Sequence, residues 1–423
     1  MTETLEACAP PAGPTRLVPR LPRVAVIILL GDAVSALGGG MSLPYFLVYL
    51  HQVRGIDMTT AGLVLSTIAL ASFVGNPLGG WLSDPCGPRA VLLSSLLCSA
   101  GGVATLGYAS SAPMAFLAAA LLGLGNSIAW PAFDALLATV VTRQQRSSAF
   151  AVRHATLNAG IAVGAVVAGL IIDTARPITF HTVYTIDAAT YLLFIPLLLL
   201  VPARPAPPPV NADHHREPGY RAVLRDRLFL SVVGLNALLV AVGYGQYHAA
   251  FPGWATRDQG IAPSMLGVCF AANAATVVLL QLPMLRALAG RRRTAAVSFA
   301  CAAWALAWTL SLIFGYTGSG WVAIAGFIAT MVVFGVAETA LSPTLSAVVN
   351  DLAPEHLRGR YNGVSALGCT TGFFLGPALT GIALDAAAGA ALMVVLVGTC
   401  LVGAVWAHRL GRRLPSSANR ITS

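Results

Sequence analysis

Long apolar runs alternate with short polar connections along the whole chain. A helix that crosses a bilayer needs about 20 predominantly apolar residues, and twelve runs reach that length. They lie at residues 24–50, 61–83, 90–109, 113–141, 148–172, 182–201, 228–251, 263–287, 294–315, 321–350, 360–385 and 390–408. Several exceed the minimum, as expected of tilted helices or of helices that extend beyond the bilayer. The pattern predicts an all-α membrane protein with twelve transmembrane helices.

Polar sequence is concentrated at the two ends and in one central stretch. The Pro-rich residues 1–23 predict a disordered tail and contain no small-residue cleavage site of a secretory signal. Residues 202–227 are the one long polar segment between spans and predict a linker, and residues 409–423 predict a basic tail. The linker divides the spans into two six-helix bundles, at 24–201 and 228–408.

The composition narrows the class of protein. Hydrophobic residues make up 57% of the 423 residues and charged residues 10%, against about 25% charged residues in an average soluble domain. Such a chain cannot cover a soluble surface with polar groups, which argues against a soluble enzyme, a disordered protein and a disulfide scaffold. The seven cysteines are scattered, so we expect neither a disulfide framework nor a metal site.

All 25 basic residues are arginine, and their distribution predicts an orientation. With the N-terminus inside, 21 arginines fall in inside segments, whereas Arg54, Arg176 and Arg257 fall in outside loops and Arg153 lies near the inner end of the fifth span. Because cytoplasmic loops are enriched in basic residues, we expect both termini in the cytoplasm. The net charge of +9 then flanks the membrane and forms no face for nucleic acid. The Ala-, Gly- and Arg-rich composition is typical of a bacterial protein, which indicates the bacterial inner membrane.

The two halves are related by an internal repeat. At a constant offset of 212 residues, Gly123 falls on Gly335, Pro131 on Pro343, Arg146 on Arg358, Gly160 on Gly372, Gly164 on Gly376 and Gly169 on Gly381. The same offset sets Asn126 on Glu338, and an offset of 204 sets Asp32 on Asn236. Six spans per repeat predict two similar bundles in parallel orientation.

The loop after the second span carries a recognisable motif. It reads Gly80-Trp-Leu-Ser-Asp84-Pro-Cys-Gly87-Pro-Arg89, and it resembles the signature loop between helices 2 and 3 of the major facilitator superfamily. Prolines stand at two positions where that family usually has basic residues. The resemblance, together with the twelve spans and the repeat, extends over essentially the whole chain and points to the drug-efflux-like branch.

The spacing of this motif predicts a cytoplasmic latch. A carboxylate and an arginine five residues apart bracket a glycine turn, so Asp84 and Arg89 can pair or cap neighbouring helix ends. We expect Asp134, near the inner end of the fourth span, to join this latch by pairing with Arg89 or Arg146.

Glycines recur at four-residue spacing in the fifth and eleventh spans. They are Gly160, Gly164, Gly372 and Gly376, with Pro377 directly after the last. The eleventh span resembles the Gly-Pro pattern that antiporters of the superfamily carry in helix 5. Two interpretations remain open, close helix packing through small residues and a helix bend that limits leak. One feature departs from the efflux branch, because Ala119 stands where its helix 4 often has an arginine.

Acidic residues inside spans are costly and require an explanation. By resemblance, helices 1, 4, 7 and 10 line a central cavity, and Asp32 and Glu338 lie near mid-depth in the first and tenth of them. The repeat relates these acids to Asn236 and Asn126, which predicts two acid–amide pairs around the cavity. Such a site can exchange a proton for a substrate. In the alternative interpretation, one acid pairs permanently with an arginine or amide and only holds helices together.

Further candidates are less specific. Tyr244 and Gln246 at the end of the seventh span can contact a planar substrate or simply belong to the membrane interface. We expect a structural role for Asp187, near the outer end of the peripheral sixth span.

The resemblance implies a secondary active transporter that exports a small organic molecule, a drug or natural product, in exchange for protons by alternating access. No phosphate-binding loop, GxSxG or HExxH sequence is present, which argues against ATP-driven transport and against an enzyme, and no cofactor is expected. The alternatives are a proton-coupled importer of a metabolite and a non-transporting receptor or scaffold. The expected partners are the substrate, protons and the lipid bilayer, with the chain a monomer.

Overall fold

A computed structural model describes residues 21–202, 220–317, 320–341, 344–354 and 357–421 of the chain. Twelve helices in this part are long and apolar enough to cross a membrane. We number them α1 Arg23–Ser42, α2 Met58–Cys86, α3 Pro88–Gly107, α4 Ala112–Val140, α5 Arg143–Ile171, α6 Pro177–Leu199, α7 Arg227–Val242, α8 Ser264–Leu288, α9 Arg293–Thr317, α10 Trp321–Leu341, α11 Arg358–Asp385 and α12 Gly389–Gly411. The prediction of an all-α fold with twelve spans is confirmed.

Two spans continue past a break as short helical pieces. Beyond α1, the chain runs through Leu43–Tyr45, Phe46–Val48 and Tyr49–Val53. Beyond α7, it runs through Tyr244–Tyr247, Ala250–Gly253 and Trp254–Asp258. Pro44 explains the first break, because proline has no N–H for the helical hydrogen bond. The short pieces after both breaks are largely buried, and irregular backbone within a membrane is tolerated when it is enclosed by protein.

Twelve spans that alternate in direction place the start of α1 and the end of α12 on the same side of the bundle. We call this the terminal side and the other the opposite side. The halves meet where α2 packs on α11 and where α5 packs on α8. Within the first half, α1 packs on α5 and α6, and within the second half α7 packs on α11.

The repeated glycines of α5 and α11 lie at close contacts between these helices. A Cβ atom on Gly164 would stand 2.0 Å from the carbonyl oxygen of Leu37 on α1, and one on Gly372 would stand 2.5 Å from that of Ala237 on α7. Gly160 and Gly376 make the same kind of approach to α1 and α7. The absence of side chains therefore allows the helix backbones to approach, and the two halves use equivalent positions of the repeat for it.

The end of the chain packs against the terminal side of the second half. A short helix, Ser416–Asn419, follows α12, and the Asn419 side chain accepts a hydrogen bond from the backbone N–H of Thr294 at 3.0 Å. Arg293 donates to the Asp351 carboxylate at 2.5 Å and to the carbonyl oxygen of Ala418 at 2.9 Å. Arg293 and Asp351 thus tie the base of α9 to the segment that follows α10.

Candidate functional site

A cavity of about 350 Å³ lies in the first half. Its lining comes mainly from α1, α4 and α5, with further residues from α3 and α6. Aromatic and aliphatic side chains dominate, among them Trp130, Phe133, Tyr191 and Phe194, and the charged groups among the lining residues are Asp32 and Arg153. An apolar wall with a few convergent polar groups is the usual form of a small-molecule site.

Arg153 is the centre of the charged part of this wall. Its Nε donates to Asp32 Oδ2 at 3.0 Å, and its Nη1 donates to Asp134 Oδ1. The guanidinium carbon lies 4.0 Å from the ring centroid of Phe133 and 4.5 Å from that of Trp130. The Arg153 side chain is only 6% exposed, against 13% for Asp32 and 40% for Asp134. One cation is therefore enclosed by two carboxylates and two aromatic faces.

The charge of this Asp32–Arg153–Asp134 cluster depends on a proton. Arginine stays protonated at any accessible pH, so only the carboxylates can titrate. With both ionised, the cluster has one net negative charge, and with one proton bound it is neutral. One proton on either carboxylate would therefore neutralise the cluster, and that proton would belong to the pair of acids.

Asp134 does not pair as expected. Arg89 donates to the carbonyl oxygen of Leu199 at 3.1 Å, and Arg146 donates to that of Ala138 at 3.2 Å. The prediction that Asp134 binds one of these two arginines is wrong. Asp134 lies four residues after Trp130, on the same helical face, and that face meets Arg153 of α5.

The expected latch between α2 and α3 is only partly described. Gly87 adopts a φ of +79° at the turn between the helices, a conformation that favours glycine. No described atom lies within 4 Å of the position that a Cβ atom on Gly80 would occupy. Arg89 lies in the first turn of α3. The side chain of Asp84 lies outside the described residues, so the Asp84–Arg89 pair remains a prediction.

Glu338 occupies a separate polar site in the second half. Asn273 of α8 has its Nδ2 at 3.5 Å from Glu338 Oε2, and its Oδ1 accepts a hydrogen bond from the Tyr247 hydroxyl at 3.2 Å. In the described part of the chain no cation pairs with Glu338. The repeat partner Asn126 instead lines the first-half cavity and accepts from Ser99 at 2.9 Å.

A second cavity, of about 250 Å³, lies between the halves. Tyr244 lines it together with residues of α2 and α11, including Pro377, and His248 lines both cavities. Tyr244 is therefore placed where a substrate can reach it. The two cavities adjoin at His248 and Leu43.

Two expected cavity residues are instead enclosed by protein. Gln246 is 2% exposed; it donates to the carbonyl oxygens of Ala241 at 2.9 Å and Gly376 at 3.2 Å, and it accepts from Thr380. Asn236 is also buried and donates to the Cys369 sulfur at 3.0 Å. Gln246 therefore ties the broken end of α7 to α11, and its assignment to the substrate cavity is wrong.

The halves are hydrogen-bonded to each other on the opposite side. Asp385 at the end of α11 accepts the backbone N–H groups of Met58 at 3.0 Å and Thr59 at 2.6 Å, in the first turn of α2. Ser66 of α2 donates to the carbonyl oxygen of Phe374 on α11 at 2.7 Å. Toward the terminal side, Trp130 is more than half exposed beside the cluster. In the part of the chain that the structure describes, these hydrogen bonds between the halves lie on the opposite side of the bundle.

Comparison with known proteins relates this architecture to transporters. The chain is 26% identical over 383 residues to the Na(+), Li(+), K(+)/H(+) antiporter of Planococcus maritimus, covering 82% of this chain and 87% of the relative. It is 20% identical over 370 residues to the quinolone resistance protein NorA of Staphylococcus aureus (strain MSSA476), covering 87% and 92%.

The fold also matches solved structures. A crystal structure of a POT family transporter in complex with 5-aminolevulinic acid superposes with a TM-score of 0.77 at 13% identity, over 93% of this chain and 96% of that one. The Major Facilitator Superfamily model matches residues 28–251 and 233–422. This multi-pass membrane protein, with its twelve helices in two bundles, belongs to the Major Facilitator Superfamily and is a transporter rather than an enzyme.

Proposed function

We propose that this transporter exports a small organic molecule, a drug or natural product, in exchange for protons by alternating access. The observation that carries the proposal is Arg153 held between Asp32 and Asp134 at the wall of an aromatic-lined cavity. The proposal includes the orientation predicted by the arginines, with both termini in the cytoplasm of a bacterium. It also keeps the two six-helix bundles as units that rock about the cavity.

The charge of the cluster couples the movement of the substrate to the movement of the proton. With the terminal side in the cytoplasm, the described conformation opens inward and admits substrate to Trp130 and Phe133. A cationic substrate competes with the proton for the net negative charge of the cluster, so its binding releases the proton inward. After the halves rock, the substrate leaves outside and the emptied cluster takes up an external proton. Each occupant neutralises the cluster, and a neutral cluster favours the rocking step.

One relative supports the exchange with protons, and another supports an organic substrate. One is named as a proton antiporter and the other as a quinolone resistance protein. The apolar cavity of this chain, with its single charged cluster, suits an amphipathic organic molecule. Glu338, in its separate polar site beside Asn273 of the second half, supplies further negative charge for a cationic substrate. A single chain contains the whole cluster, which agrees with a monomer.

The experiment is a proton-flux assay in proteoliposomes that contain an interior pH dye. A panel of lipophilic cations and neutral antibiotics is added to wild type, Asp32→Asn, Asp134→Asn and Glu338→Gln. Substrate-triggered proton movement in wild type that is lost in Asp32→Asn supports the proposal. Asp173→Asn is the matched control, since this exposed acid lies outside the cavity, where it pairs with Arg176 at 3.6 Å and accepts the backbone N–H of Ala175 at 2.9 Å.

Transport direction is measured in the same vesicles. Substrate movement against the proton movement supports export by exchange, whereas movement with the protons identifies an importer, the second function that the cluster can serve. A wild type that moves neither substrate nor protons across the panel contradicts export of the drug classes that the panel contains. Asp32→Asn and Glu338→Gln variants that both keep full flux contradict the assignment of the acids.

A further inference from the structure

His248 lies at the junction of the two cavities. It follows the break of α7, between the short helical pieces Tyr244–Tyr247 and Ala250–Gly253, and it lines both the first-half cavity and the cavity between the halves. The centroid of its ring lies 4.7 Å from that of Tyr247, at 90°, and 6.0 Å from that of Phe270 on α8, at 28°. These two aromatic rings hold the imidazole at the boundary between the cavities.

Each cavity alone is small for an organic substrate. Pockets that enclose drug-sized molecules have volumes of about 300–1,000 Å³. The first-half cavity, at about 350 Å³, is near the lower end of this range, and the cavity between the halves, at about 250 Å³, is below it. A drug-sized molecule therefore needs both spaces, and a molecule that occupies both must pass His248.

Two polar side chains of the cavity between the halves have no hydrogen bond of their own. The hydroxyls of Ser72 and Thr370, which also line it, donate to backbone carbonyls four residues earlier, at 3.3 and 3.0 Å. Within the described residues, the side chains of Tyr244 and His248 form no hydrogen bond. Tyr244 and His248 are four residues apart, at helical spacing. These two side chains are therefore the ones available to a ligand.

The surroundings of His248 indicate which of its ring nitrogens donates. No carboxylate forms an ion pair with it in the part of the chain that the structure describes, and a positive charge enclosed without a counter-charge is costly, so the imidazole is neutral. Nδ1 is enclosed without a partner, and a buried N–H without a partner is rarer than an unpaired acceptor. We therefore assign the proton to Nε2, the nitrogen that can face the cavities and donate a hydrogen bond there.

We infer that His248 determines substrate specificity, by donating a hydrogen bond to an acceptor in the middle of an elongated cation whose two ends occupy the two cavities. The charged end lies beside Asp32 in the first-half cavity, and a planar apolar end lies against Tyr244 and Phe373 between the halves. The inference rests on the proposed function for the position of the charged end. It adds the length of the substrate and its central acceptor, of which a carbonyl oxygen is the simplest form.

The test compares two probes that differ in one group. One is a trimethylammonium cation joined by a propyl chain to a naphthyl ketone, and the other has a methylene group in place of the carbonyl. Isothermal titration calorimetry measures the affinity of each for the purified full-length protein in detergent at neutral pH. Wild type is expected to bind the ketone about tenfold more tightly, as for one hydrogen bond in an enclosed site.

Variants of His248 assign this preference to the imidazole. His248→Phe keeps a ring against Tyr247 and Phe270, and it is expected to bind both probes with the affinity of wild type for the methylene probe. His248→Gln keeps an N–H donor and is expected to restore part of the preference for the ketone. His181→Phe is the control and should bind as wild type, because His181 lines neither cavity.

Ala69→Leu tests whether the ligand reaches the cavity between the halves. Ala69 of α2 lines this cavity and not the first-half cavity. The larger side chain takes up space there, so we expect both naphthyl probes to bind about tenfold more weakly. Benzyltrimethylammonium, which is short enough for the first-half cavity alone, should bind to Ala69→Leu as to wild type.

Several results would overturn the inference. They are equal affinity of wild type for the two naphthyl probes, absence of binding of both to monodisperse wild type, a preference for the ketone that survives in His248→Phe, and unchanged binding of both by Ala69→Leu. Asp32→Asn separates this inference from the proposed function, because it should weaken all three cations alike. If Asp32→Asn binds them as wild type while His248→Phe loses the preference, the role of the charged cluster fails and the role of His248 stands.

Discussion

Asp385 caps a helix in the other half of the molecule, because its carboxylate accepts the backbone N–H of Thr59 at 2.6 Å. Met58 donates to the same carboxylate at 3.0 Å, and Arg257 Nη1 lies 3.5 Å from it. The first turn of a helix has unpaired N–H groups and a partial positive charge, which a carboxylate stabilises. This contact joins α11 to α2 on the opposite side, where the halves must separate if the cavity is to open there.

We expect Asp385→Asn to shift the molecule toward the conformation that is open on the opposite side. Hydrogen bonds to a charged group contribute about 1.5–3 kcal/mol, so the open population should rise by roughly tenfold or more. Distances between spin labels at the ends of α2 and α11 on the opposite side measure the shift. Asp57→Asn is the matched control, since Asp57 caps the same helix through Thr60 at 2.8 Å without bridging the halves. Equal distance distributions in wild type and Asp385→Asn would contradict the role of this contact.

Removal of the arginine alone from the Asp32–Arg153–Asp134 cluster should destabilise the protein. Arg153→Gln leaves two carboxylates without their cation, and breaking a buried ion pair costs about 3–5 kcal/mol. We expect a marked fall in the thermal unfolding midpoint in detergent, which the double variant with Asp134→Asn partly restores. Arg176→Gln serves as control, because this arginine is 77% exposed. The cluster account fails if the single and double variants are equally unstable.

Close packing of α5 on α1 gives a prediction about stability. Gly164→Ala places a methyl group 2.0 Å from the carbonyl oxygen of Leu37, and overpacking of this kind costs about 1–3 kcal/mol. Gly101→Ala is the control, because no atom lies within 4 Å of its added methyl and alanine favours the helix. The midpoint of thermal unfolding should therefore fall for Gly164→Ala and stay constant or rise for Gly101→Ala. The reverse order would show that α1 and α5 are not held at this distance.

Glu338 should matter for charged substrates in particular. Glu338→Gln keeps the acceptor for Asn273, which lies 3.5 Å away, but removes a negative charge. We expect the KM of a cationic substrate to rise about tenfold, the equivalent of roughly 1.4 kcal/mol, while a neutral substrate is unaffected. Uptake into inverted membrane vesicles measures both. An equal effect on the two substrates would indicate a packing role for Glu338.

The sequence predicted the helices and the family resemblance because apolar runs, loop arginines and the Gly80–Arg89 motif are local signals. The residues that pair with the buried acids lie on other helices, far from them in the sequence. Arg153 lies near the inner end of the predicted fifth span, and only the packing of α5 on α1 and α4 brings it to both Asp32 and Asp134. An arginine inside a predicted span was itself a signal, since such residues are costly there and seek a counter-charge.

Two further differences also come from tertiary structure. Gln246 follows the break of α7 at Gly243, which turns its side chain into the contact with α11; periodicity alone assumes an unbroken helix. Asn273 lies in an apolar run of α8, and nothing in that run indicates that it meets Glu338 and Tyr247.

The most direct test of the central claim is proton release by the purified protein in weakly buffered detergent solution. Addition of a transported substrate to wild type should release about one proton per bound molecule, because substrate and proton compete for the single net charge of the cluster. Asp32→Asn, which lacks the net negative charge, should bind the substrate more weakly and without releasing protons, whereas Asp173→Asn should behave as wild type. Equal proton release by wild type and Asp32→Asn would contradict the claim that the Asp32–Arg153–Asp134 cluster carries the exchanged proton.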